Sequence, residues 1–584
     1  MPNLDAPDLR DRAVRAARGE EPFDLLVAGG TLLDAATGEL RRADVGLVGP
    51  LIASVHPPRE AAAQARLDAA GGIVIPGLID SHMHVESSMV TPRRYAEAVL
   101  AQGTTAICWD PHEIANVLGL PGVRWAAEAT RGLPLEVNLL APSCVPSAPG
   151  LERAGASFGG AELAEMLRWP EVTGVAEVME MRGVLTRGAR MRAVVGAGLA
   201  SGKPVCGHAR SLAGGDLQGF AAAGISSDHE LTCGEDLLER LRAGMTVELR
   251  GSHDDVLPDL VAALRRLPGL PPTLTLCTDD VFPDDLLRAG GMIDVLRRLV
   301  RDGMPAIDAV RAATLHAALR LGRGDIGLVA PGRRADLAVL SDLAGMEVRE
   351  VVASGRHIAH AGALLAPLRP DPVALPPDSV HVAPLEPGDF VLHAPGPVAR
   401  LRVVERPRFT RWGEVAAPVE GGAVALPEEC ILMAVIHRHG RAPAVPVLGV
   451  LRGWGRWRGA LATTVSHDSH NLVVFGRDPA DLAAAANAVI ARQGGMAVAA
   501  GGAVRAVLAL PVAGLISDAP LAAVARDFAA VRSAAAAVVE GWTPKLPVIK
   551  AAIGASLACN AGPHVTDLGI ADGTTGEVFP GAVV

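Results

Sequence analysis

The chain has 584 residues, which is more than one hydrophobic core usually organises, so we expect two or three domains. Hydrophobic residues make up 49% of the chain and charged residues 20%, and this composition excludes wholesale disorder. The formal net charge of −10 and the lack of any basic run argue against a nucleic-acid-binding protein.

The cysteines and the first residues predict the cellular compartment. The seven cysteines form no C-x-x-C pair, which favours a reducing cytoplasm over a disulfide framework or a structural zinc finger. The first twenty residues are charged and lack the apolar stretch of a secretion signal. The most apolar late segment, residues 483–515, is interrupted by Arg492, Arg505 and several glycines. We therefore expect a buried helix and strand there rather than a membrane span.

The first part of the chain reads as an extension, residues 1–21, followed by a small β-domain. Residues 22–75 form short strand patterns that are separated by glycine turns. The same pattern of short strands and glycine turns occurs again in residues 321–365. We expect these later strands to rejoin the first set, so that the small β-domain is discontinuous.

Residues 76–320 alternate short apolar runs with helical segments of about ten to fifteen residues, which is the pattern of a parallel sheet. The eight apolar runs are residues 73–80, 104–110, 135–142, 172–180, 204–209, 224–230, 246–252 and 274–280. Eight βα units predict a (β/α)8 TIM-like barrel, an α/β fold whose active site lies at the carboxyl ends of its strands. A proline-rich linker, residues 366–400, and a C-terminal mixed α/β domain, residues 401–584, complete the prediction.

The most informative motif is a histidine pair at the end of the first apolar run. His82 and His84 are spaced i and i+2, so their imidazoles point the same way on a strand. Neutral imidazole is the commonest metal ligand in proteins, so such a pair can hold a catalytic metal. Alone, H-x-H is weak evidence, because a hydrogen-bonded, partly buried pair is common.

Four further candidate ligands each lie at the carboxyl end of another apolar run. They are Glu177, His208, His229 and Asp279. Taken singly, His208 would more often be a core histidine and His229 a residue of a surface turn. Glu177 lies in an otherwise apolar run, and burying a lone carboxylate is costly unless it is paired or bound to a metal.

Together these residues can supply a two-metal hydrolytic site, which needs ligands from several strands and a bridging anion that lets two metals share an activated water. The assignments are His82, His84 and Asp279 for the first metal, His208 and His229 for the second, and Glu177 as the bridge. The expected cofactors are two divalent ions, with Mn²⁺ or Fe²⁺ preferred and Zn²⁺ as the alternative.

This order of ligands resembles the amidohydrolase superfamily, with H-x-H on strand one, an acid on strand four, histidines on strands five and six and an aspartate on strand eight. The resemblance covers the small β-domain and the whole barrel. Many members bridge their metals with a carboxylated lysine on strand four, but the lysines of this chain are Lys203, Lys545 and Lys550. The resemblance therefore implies that Glu177 bridges, and it argues against the dihydroorotase and hydantoinase branch.

Longer motifs resemble the bacterial adenine deaminase family over nearly the full length. They are I-D-S-H-M-H-V-E-S-S-M at 79–89, D-P-H-E-I-A-N-V-L-G at 110–119, A-A-G-I-S-S-D-H-E at 222–230, C-T-D-D at 277–280, S-H-D-S-H-N at 466–471 and L-P-V-A-G-L at 510–515. The resemblance implies hydrolysis of adenine to hypoxanthine and ammonia in purine salvage. It also implies a purine base as the small-molecule partner. We further expect a homo-oligomer, either dimer or tetramer, and the charge and hydropathy argue against nucleic-acid and membrane partners.

Acids that follow strand ends are the candidate catalytic residues. Asp279 is expected to take a proton from the water and pass it to the departing ammonia. Asp280 is the alternative to Asp279 as a ligand. Glu113 and Glu86 are expected to protonate the ring or contact the substrate, and Glu230 is placed similarly. A solvated loop position is equally typical of each of these three.

Two segments depart from the pattern expected of the family. Residues 177–183 read E-V-M-E-M-R-G where E-V-M-N-x-P-G is expected, and residues 209–212 read A-R-S-L where A-P-G-L is expected. The alternatives are therefore an amidohydrolase for a different aminopurine or cyclic amide, and a catalytically silent metal-binding protein, although all six ligand positions are filled. In the third domain, His467, Asp468 and His470 either cap the barrel mouth or form a polar turn, and the turn is favoured.

Overall fold

A computed structural model of the protein describes residues 3–369, 372–407 and 409–584. The amino-terminal elements are α1 (Pro7–Ala17), β1 (Phe23–Ala28), β2 (Thr31–Asp34), β3 (Glu39–Arg42), β4 (Asp44–Val48), β5 (Leu51–His56), β6 (Ala63–Asp68) and β7 (Ile73–Pro76). Four of these strands form a sheet in the order β5-β4-β1-β6. Helix α1 packs on this sheet through Ala13 and Ala16, so the amino-terminal extension is part of the small β-domain.

The next part of the chain alternates strands and helices. The elements are β8 (Leu78–Met83), α2 (Pro92–Leu100), β9 (Thr104–Trp109), α3 (His112–Leu118), α4 (Leu120–Ala129), β10 (Glu136–Ala141), α5 (Gly160–Met166), β11 (Val172–Val178), α6 (Met181–Leu185), α7 (Ala189–Ser201), β12 (Val205–Gly207), α8 (Gly214–Ala222), β13 (Ser227–Asp228), α9 (Gly234–Arg242), β14 (Thr246–Arg250), α10 (Leu257–Leu264), β15 (Leu274–Cys277), α11 (Pro283–Ala289), α12 (Met292–Arg301), α13 (Ala306–Arg311) and α14 (Ala317–Arg320).

The eight strands β8 to β15 confirm the predicted barrel. Strands β8 to β12 pair in parallel, and so do β13 to β15. The Ser226 amide donates to the Val205 carbonyl at 2.9 Å and joins the two groups on one side. A parallel bridge between Met83 and Asp279 joins them on the other side. The barrel therefore closes at the point where two predicted metal ligands, His84 and Asp279, come together.

The chain then returns to the small β-domain. The elements are β16 (Leu337–Leu340), β17 (Val348–Ala353), β18 (Arg356–His360) and β19 (Ala363–Leu364). They continue the amino-terminal strands in one sheet of order β19-β18-β17-β16-β7-β2-β3. The small β-domain is therefore discontinuous, as the strand patterns predict.

The C-terminal domain is built on a large sheet covered by helices. Its elements are β20 (Val398–Glu405), β21 (Arg411–Glu420), β22 (Ala423–Val424), β23 (Cys430–Ile436), β24 (Val447–Arg452), β25 (Arg456–Trp457), β26 (Ala460–Thr463), β27 (Leu472–Gly476), α15 (Pro479–Ile490), β28 (Gly495–Ala500), β29 (Ala503–Ala509), α16 (Leu521–Ala537), β30 (Val539–Glu540), α17 (Val548–Ile553), β31 (Pro563–Thr566), β32 (Gly569–Asp572) and β33 (Glu577–Phe579). The large sheet has the order β22-β21-β20-β24-β23-β27-β26-β28-β29. One apolar core runs from the barrel into this domain.

Two features of the barrel differ from the sequence prediction. The predicted strand at residues 73–80 is two strands, because β7 belongs to the small β-domain and β8 to the barrel. Gly77 separates them, and a Cβ there would lie 2.1 Å from the Thr105 hydroxyl oxygen. The predicted strands at 204–209 and 224–230 are also much shorter, since only β12 and β13 pair there.

The late apolar segment forms α15, β28 and β29, in agreement with the expectation of buried helix and strand. Across the described part of the chain, helices fall short of the length and apolar character that a membrane crossing requires.

The junction at Gly77 leads to a stability prediction. Gly77→Ala should lower the free energy of unfolding by about 1–3 kcal/mol, because the added methyl group overpacks against Thr105. Gly196→Ala is the matched control, since a Cβ at this exposed position within α7 meets no atom within 4 Å. The control should be neutral or stabilising by up to about 1 kcal/mol. Chemical denaturation measures both variants, and equal effects would contradict the prediction.

Candidate metal centre and active site

The six residues predicted as metal ligands lie together at the carboxyl end of the barrel. They are His82 and His84 at the end of β8, Glu177 in β11, His208 after β12, His229 after β13 and Asp279 after β15. Each side chain is buried, with at most 5% of its surface exposed. The parallel strands bring them together because the carboxyl ends of barrel strands meet at one face.

The Glu177 carboxylate lies between two pairs of histidines. Its Oε1 atom lies 3.8 Å from Nε2 of His82 and 3.5 Å from Nε2 of His84. Its Oε2 atom lies 2.6 Å from Nδ1 of His208 and 3.4 Å from Nε2 of His229. Burial alone would raise the pKa of Glu177, but His229 and His208 hold it well below its usual range. Each oxygen of an ionised carboxylate thus faces a different histidine pair.

The two oxygens of Asp279 also have separate surroundings. Oδ1 lies 3.4 Å from Nε2 of His82 and 3.4 Å from Nε2 of His84. Oδ2 pairs with the Arg250 guanidinium and accepts a hydrogen bond from the Ser252 hydroxyl at 3.1 Å. The backbone φ of Asp279 is +58°, a left-handed conformation that is uncommon outside glycine and asparagine. Although burial favours the neutral acid, Arg250 holds the pKa of Asp279 well below its usual range.

The donor atoms of this cluster fit metal ions. Ligand atoms of His82, His84 and Asp279 lie within 4.8 Å of one another, and so do those of His82, Glu177 and His229. Both ring nitrogens of His82, Nε2 of His208 and Nδ1 of His229 are buried without a hydrogen-bond partner among the described residues. Buried polar atoms are normally paired, so each of these histidines has a ring nitrogen that is suited to bind a cation.

Glu230, in contrast, is held by arginines. Its Oε2 atom accepts a hydrogen bond from Nη1 of Arg210 at 2.7 Å, and its Oε1 atom pairs with the Arg250 guanidinium. Burial by itself would raise the pKa of Glu230, but Arg250 and Arg210 hold it well below its usual range. Glu230 is therefore an ionised acceptor and a poor proton donor.

Glu86 and Glu113 lie side by side behind the cluster. The Glu86 carboxylate accepts hydrogen bonds from Nε1 of Trp109 at 2.8 Å and from the amide of Ile114 at 3.2 Å. Burial, followed by the charge of Glu113, raises the pKa of Glu86 to about 7. Both oxygens of Glu86 are thus engaged in holding β9 and α3.

Glu113 lies close to a histidine of the C-terminal domain. Its Oε1 atom lies 3.0 Å from the Ser87 hydroxyl oxygen and 3.9 Å from Nε2 of His467. The same serine donates to Asp280 at 2.6 Å. Burial raises the pKa of Glu113, although His467 and His84 oppose the shift. Burial therefore favours the protonated form of Glu113, as it does that of Glu86.

A cavity of about 130 Å³ opens beside the histidines. The barrel contributes His84, His112 and Asp280 to its wall, and the C-terminal domain contributes His467 and Asp468. His112 connects the two domains, because its Nδ1 atom lies 3.1 Å from an Asp110 oxygen and its Nε2 atom 3.5 Å from an Asp468 oxygen. Residues 467–469 form a turn, as favoured, and this turn also lines the cavity at the barrel mouth.

Comparison with known proteins agrees with this architecture. Residues 73–358 match the amidohydrolase family, and residues 407–577 match the adenine deaminase C-terminal domain. Adenine deaminase 2 of Rhizobium meliloti is 58% identical over 583 residues, which span 100% of this chain and 98% of the relative. Adenine deaminase of Klebsiella pneumoniae is 56% identical, over 98% of this chain and 95% of the relative. The chain belongs to the adenine deaminase family. Adenine deaminase of Moorella thermoacetica is 42% identical over 89% of this chain and 90% of the relative.

The departures from the expected family motifs differ in their relation to the cavity. Glu180 pairs with the Arg190 guanidinium, and the Arg182 guanidinium lies against Gly576. Among the described residues, the cavity wall includes Arg210 but neither Glu180 nor Arg182. Nη2 of Arg210 is buried and has no hydrogen-bond partner among those residues. Ser211, the fourth change, is also absent from the cavity wall, so Arg210 is the change that can contact a substrate.

Sequence analysis missed Arg250, which joins Glu230 to Asp279. Arg250 is the last residue of β14, the seventh barrel strand. Its position was the available signal, because polar residues at the carboxyl ends of barrel strands belong to the active face. Arg250 pairs with two acidic residues that lie at least twenty positions away in the chain, and no sequence motif marks such an arginine. Its partners could therefore not be predicted.

The Glu177 geometry predicts the metal content of variants. Glu177→Gln should reduce bound Mn²⁺ from about two equivalents to one or none, because a neutral amide offers one oxygen acceptor in place of two anionic oxygens. Elemental analysis of reconstituted protein measures this content. Glu180→Gln is the matched control, since Glu180 pairs with Arg190 away from the cavity, and it should bind the wild-type amount. Two equivalents in Glu177→Gln would show that Glu177 does not bridge.

Proposed function

We propose that this member of the adenine deaminase family hydrolyses adenine to hypoxanthine and ammonia. The observation that carries the proposal is the match to adenine deaminases over the whole chain, at 55–58% identity in Rhizobium, Agrobacterium and Klebsiella. The cluster of six candidate ligands beside a small cavity supports it, because a hydrolase of this kind needs an activated water next to a bound base.

The six residues His82, His84, Glu177, His208, His229 and Asp279 would hold two divalent cations. When bound, such ions supply Lewis acidity that lowers the pKa of water to about 7. Mn²⁺ or Fe²⁺ is our preferred assignment and Zn²⁺ the alternative, because mixed imidazole and carboxylate ligands suit all three. We also propose a cytoplasmic homo-oligomer, without nucleic-acid or membrane partners.

Asp279 is proposed to move the proton. The ionised carboxylate accepts a proton from the attacking water and returns it to the amino group that leaves C6 of adenine. Arg250 and Ser252 fix Oδ2 of Asp279, which leaves Oδ1 facing His82 and His84. Oδ1 of Asp279 would therefore carry the proton close to the C6 atom that the water attacks.

The ring needs a proton at N1 as C6 becomes tetrahedral, and we propose that Glu113 supplies it. Hypoxanthine keeps this proton, ammonia carries away one proton of the attacking water, and the second water proton restores Glu113. Burial raises the pKa of Glu113, and His467 lies 3.9 Å from Glu113 and forms part of the cavity wall. The proton would pass through His467, which is the group that touches the ring. Glu86 is proposed to hold α3 in place rather than to contact the substrate, because both of its oxygens accept hydrogen bonds from Trp109 and Ile114.

A different aminopurine is the second candidate substrate. Arg210 lines the cavity and presents a buried nitrogen without a partner among the described residues, so it can donate to an additional acceptor on the base. A cyclic amide would use the same ligands. These alternatives share the reaction chemistry and differ in the contacts at the rim.

The substrate assignment is tested by ammonia release and by the ultraviolet spectrum of Mn²⁺-reconstituted protein. Adenine should be consumed, whereas adenosine, cytosine and dihydroorotate should not. Silence on adenine with metal fully bound would overturn the assignment and direct attention to other aminopurines. Turnover of dihydroorotate would favour the cyclic-amide alternative.

The role of Asp279 predicts a large loss of turnover. Asp279→Asn should lower kcat by about 100- to 10,000-fold, because the amide cannot accept the proton of the attacking water. Asp378→Asn changes an exposed aspartate of the linker and should behave as wild type. Steady-state kinetics at saturating adenine measures both. Appreciable activity in Asp279→Asn, with metal content unchanged, would remove Asp279 from the mechanism.

A further inference from the structure

A lysine of the C-terminal domain reaches into the barrel. Lys550 lies in α17, and its Nζ atom donates a hydrogen bond to the carbonyl oxygen of Ser252 at 2.6 Å. Ser252 is the second residue after β14, in a connection that has no helix or strand before α10 begins at Leu257. This contact spans 298 positions of the chain.

The residue that Lys550 holds is itself bonded to Asp279. The Ser252 hydroxyl donates to Oδ2 of Asp279 at 3.1 Å and accepts a hydrogen bond from Nε of Arg250 at 2.8 Å. Arg250 also pairs directly with Oδ2 of Asp279 and with Glu230. Ser252 and Arg250 thus form a bracket around one oxygen of Asp279, and Lys550 is the group that ties this bracket to the C-terminal domain.

The orientation of Asp279 depends on such a bracket. Its backbone is in the left-handed region, which is costly for a residue with a Cβ and persists where surrounding contacts impose it. Its carboxylate must present Oδ1 to His82 and His84 while Oδ2 is held from behind. Groups that orient a metal-binding carboxylate typically change affinity or activity by about 10- to 100-fold when they are removed.

We infer that Lys550 is a positioning residue, through which the C-terminal domain fixes the orientation of Asp279. The expected change in kcat rests on the proposed function. The contact between Lys550 and Ser252 is independent of that function. Lys550 lies in the wall of the active-site cavity and also in that of a neighbouring outer cavity of about 620 Å³, so its side chain sits at a boundary rather than in a packed core. Its replacement should therefore leave the fold intact.

The chain offers a matched control in the same segment. The chain has three lysines, and Lys545 precedes Lys550 by five residues. Lys550 lines both cavities, whereas Lys545 lines the outer cavity and not the active-site cavity. Lys550→Met and Lys545→Met each remove one positive charge from one face of the molecule. Lys550→Arg keeps a charged donor and should restore most of the loss, which a nonspecific structural effect would not show.

The experiment combines hydrogen exchange with kinetics. In Lys550→Met, amides of residues 251–256 should exchange faster than in wild type, and kcat on adenine should fall about 10-fold with KM within about twofold. Lys545→Met should match wild type in both measurements. Metal content, measured on the same samples, should stay at about two equivalents in each variant.

A second variant tests the connection from the barrel side. Ser252→Ala removes the hydroxyl that reaches Asp279 but keeps the carbonyl that binds Lys550. If Lys550 acts through Ser252, the double variant should lose no more activity than the more damaging single variant. Additive losses would overturn the route through Ser252.

Failure of the inference and failure of the proposed function are distinguishable. If wild type does not release ammonia from adenine, the proposed function fails, and the exchange of residues 251–256 still tests the contact of Lys550. If wild type is active and Lys550→Met equals Lys545→Met in exchange and in kcat, the positioning role is refuted.

Discussion

The carboxylate of Glu177, buried among four imidazoles, is the interaction on which the rest of the site depends. Removing a charge from water costs several kcal/mol even in a relaxed protein, so a buried carboxylate must be matched by cations or donors. The four histidines at the ends of three strands provide this match, and their ring nitrogens are the donor atoms that metals require. The closure of the barrel brings Asp279 to the same point.

Paired arginines and acids support this centre on two sides. Toward the rim, a series of ion pairs joins Arg210 to Glu230, Glu230 to Arg250, and Arg250 to Asp279. Below the cluster, Glu248 lies 2.5 Å from the Arg320 guanidinium and 3.8 Å from Nδ1 of His229. In both places a guanidinium offsets the charge of a buried acid, so the carboxylates next to the histidines remain ionised. Ion pairs with arginines on two sides of the centre therefore stabilise its charged carboxylates.

The sequence allowed the barrel and the clustering of the six candidate ligands to be predicted, because both follow local patterns. An apolar run that ends in a polar residue can be recognised in the sequence as a barrel strand, as at His82 and Glu177. The order of the strands then determines which of these residues lie close together. The contacts of Arg250 and Lys550 could not be predicted, because each depends on packing between segments far apart in the chain. The split at Gly77 was hidden for another reason. The residues on both sides are apolar, and only the Thr105 side chain reveals why the strand must end there.

The cavity wall contains residues from nearly opposite ends of the chain, from His84 to Asn560. During synthesis the barrel strands are complete long before α17 leaves the ribosome, since proteins are made from the amino terminus. While the chain is unfinished, the C-terminal residues that complete the cavity wall are missing. The enclosed pocket can therefore form only when the last tenth of the protein has been made. The order of translation thus makes the closing of this pocket one of the last steps in producing the protein.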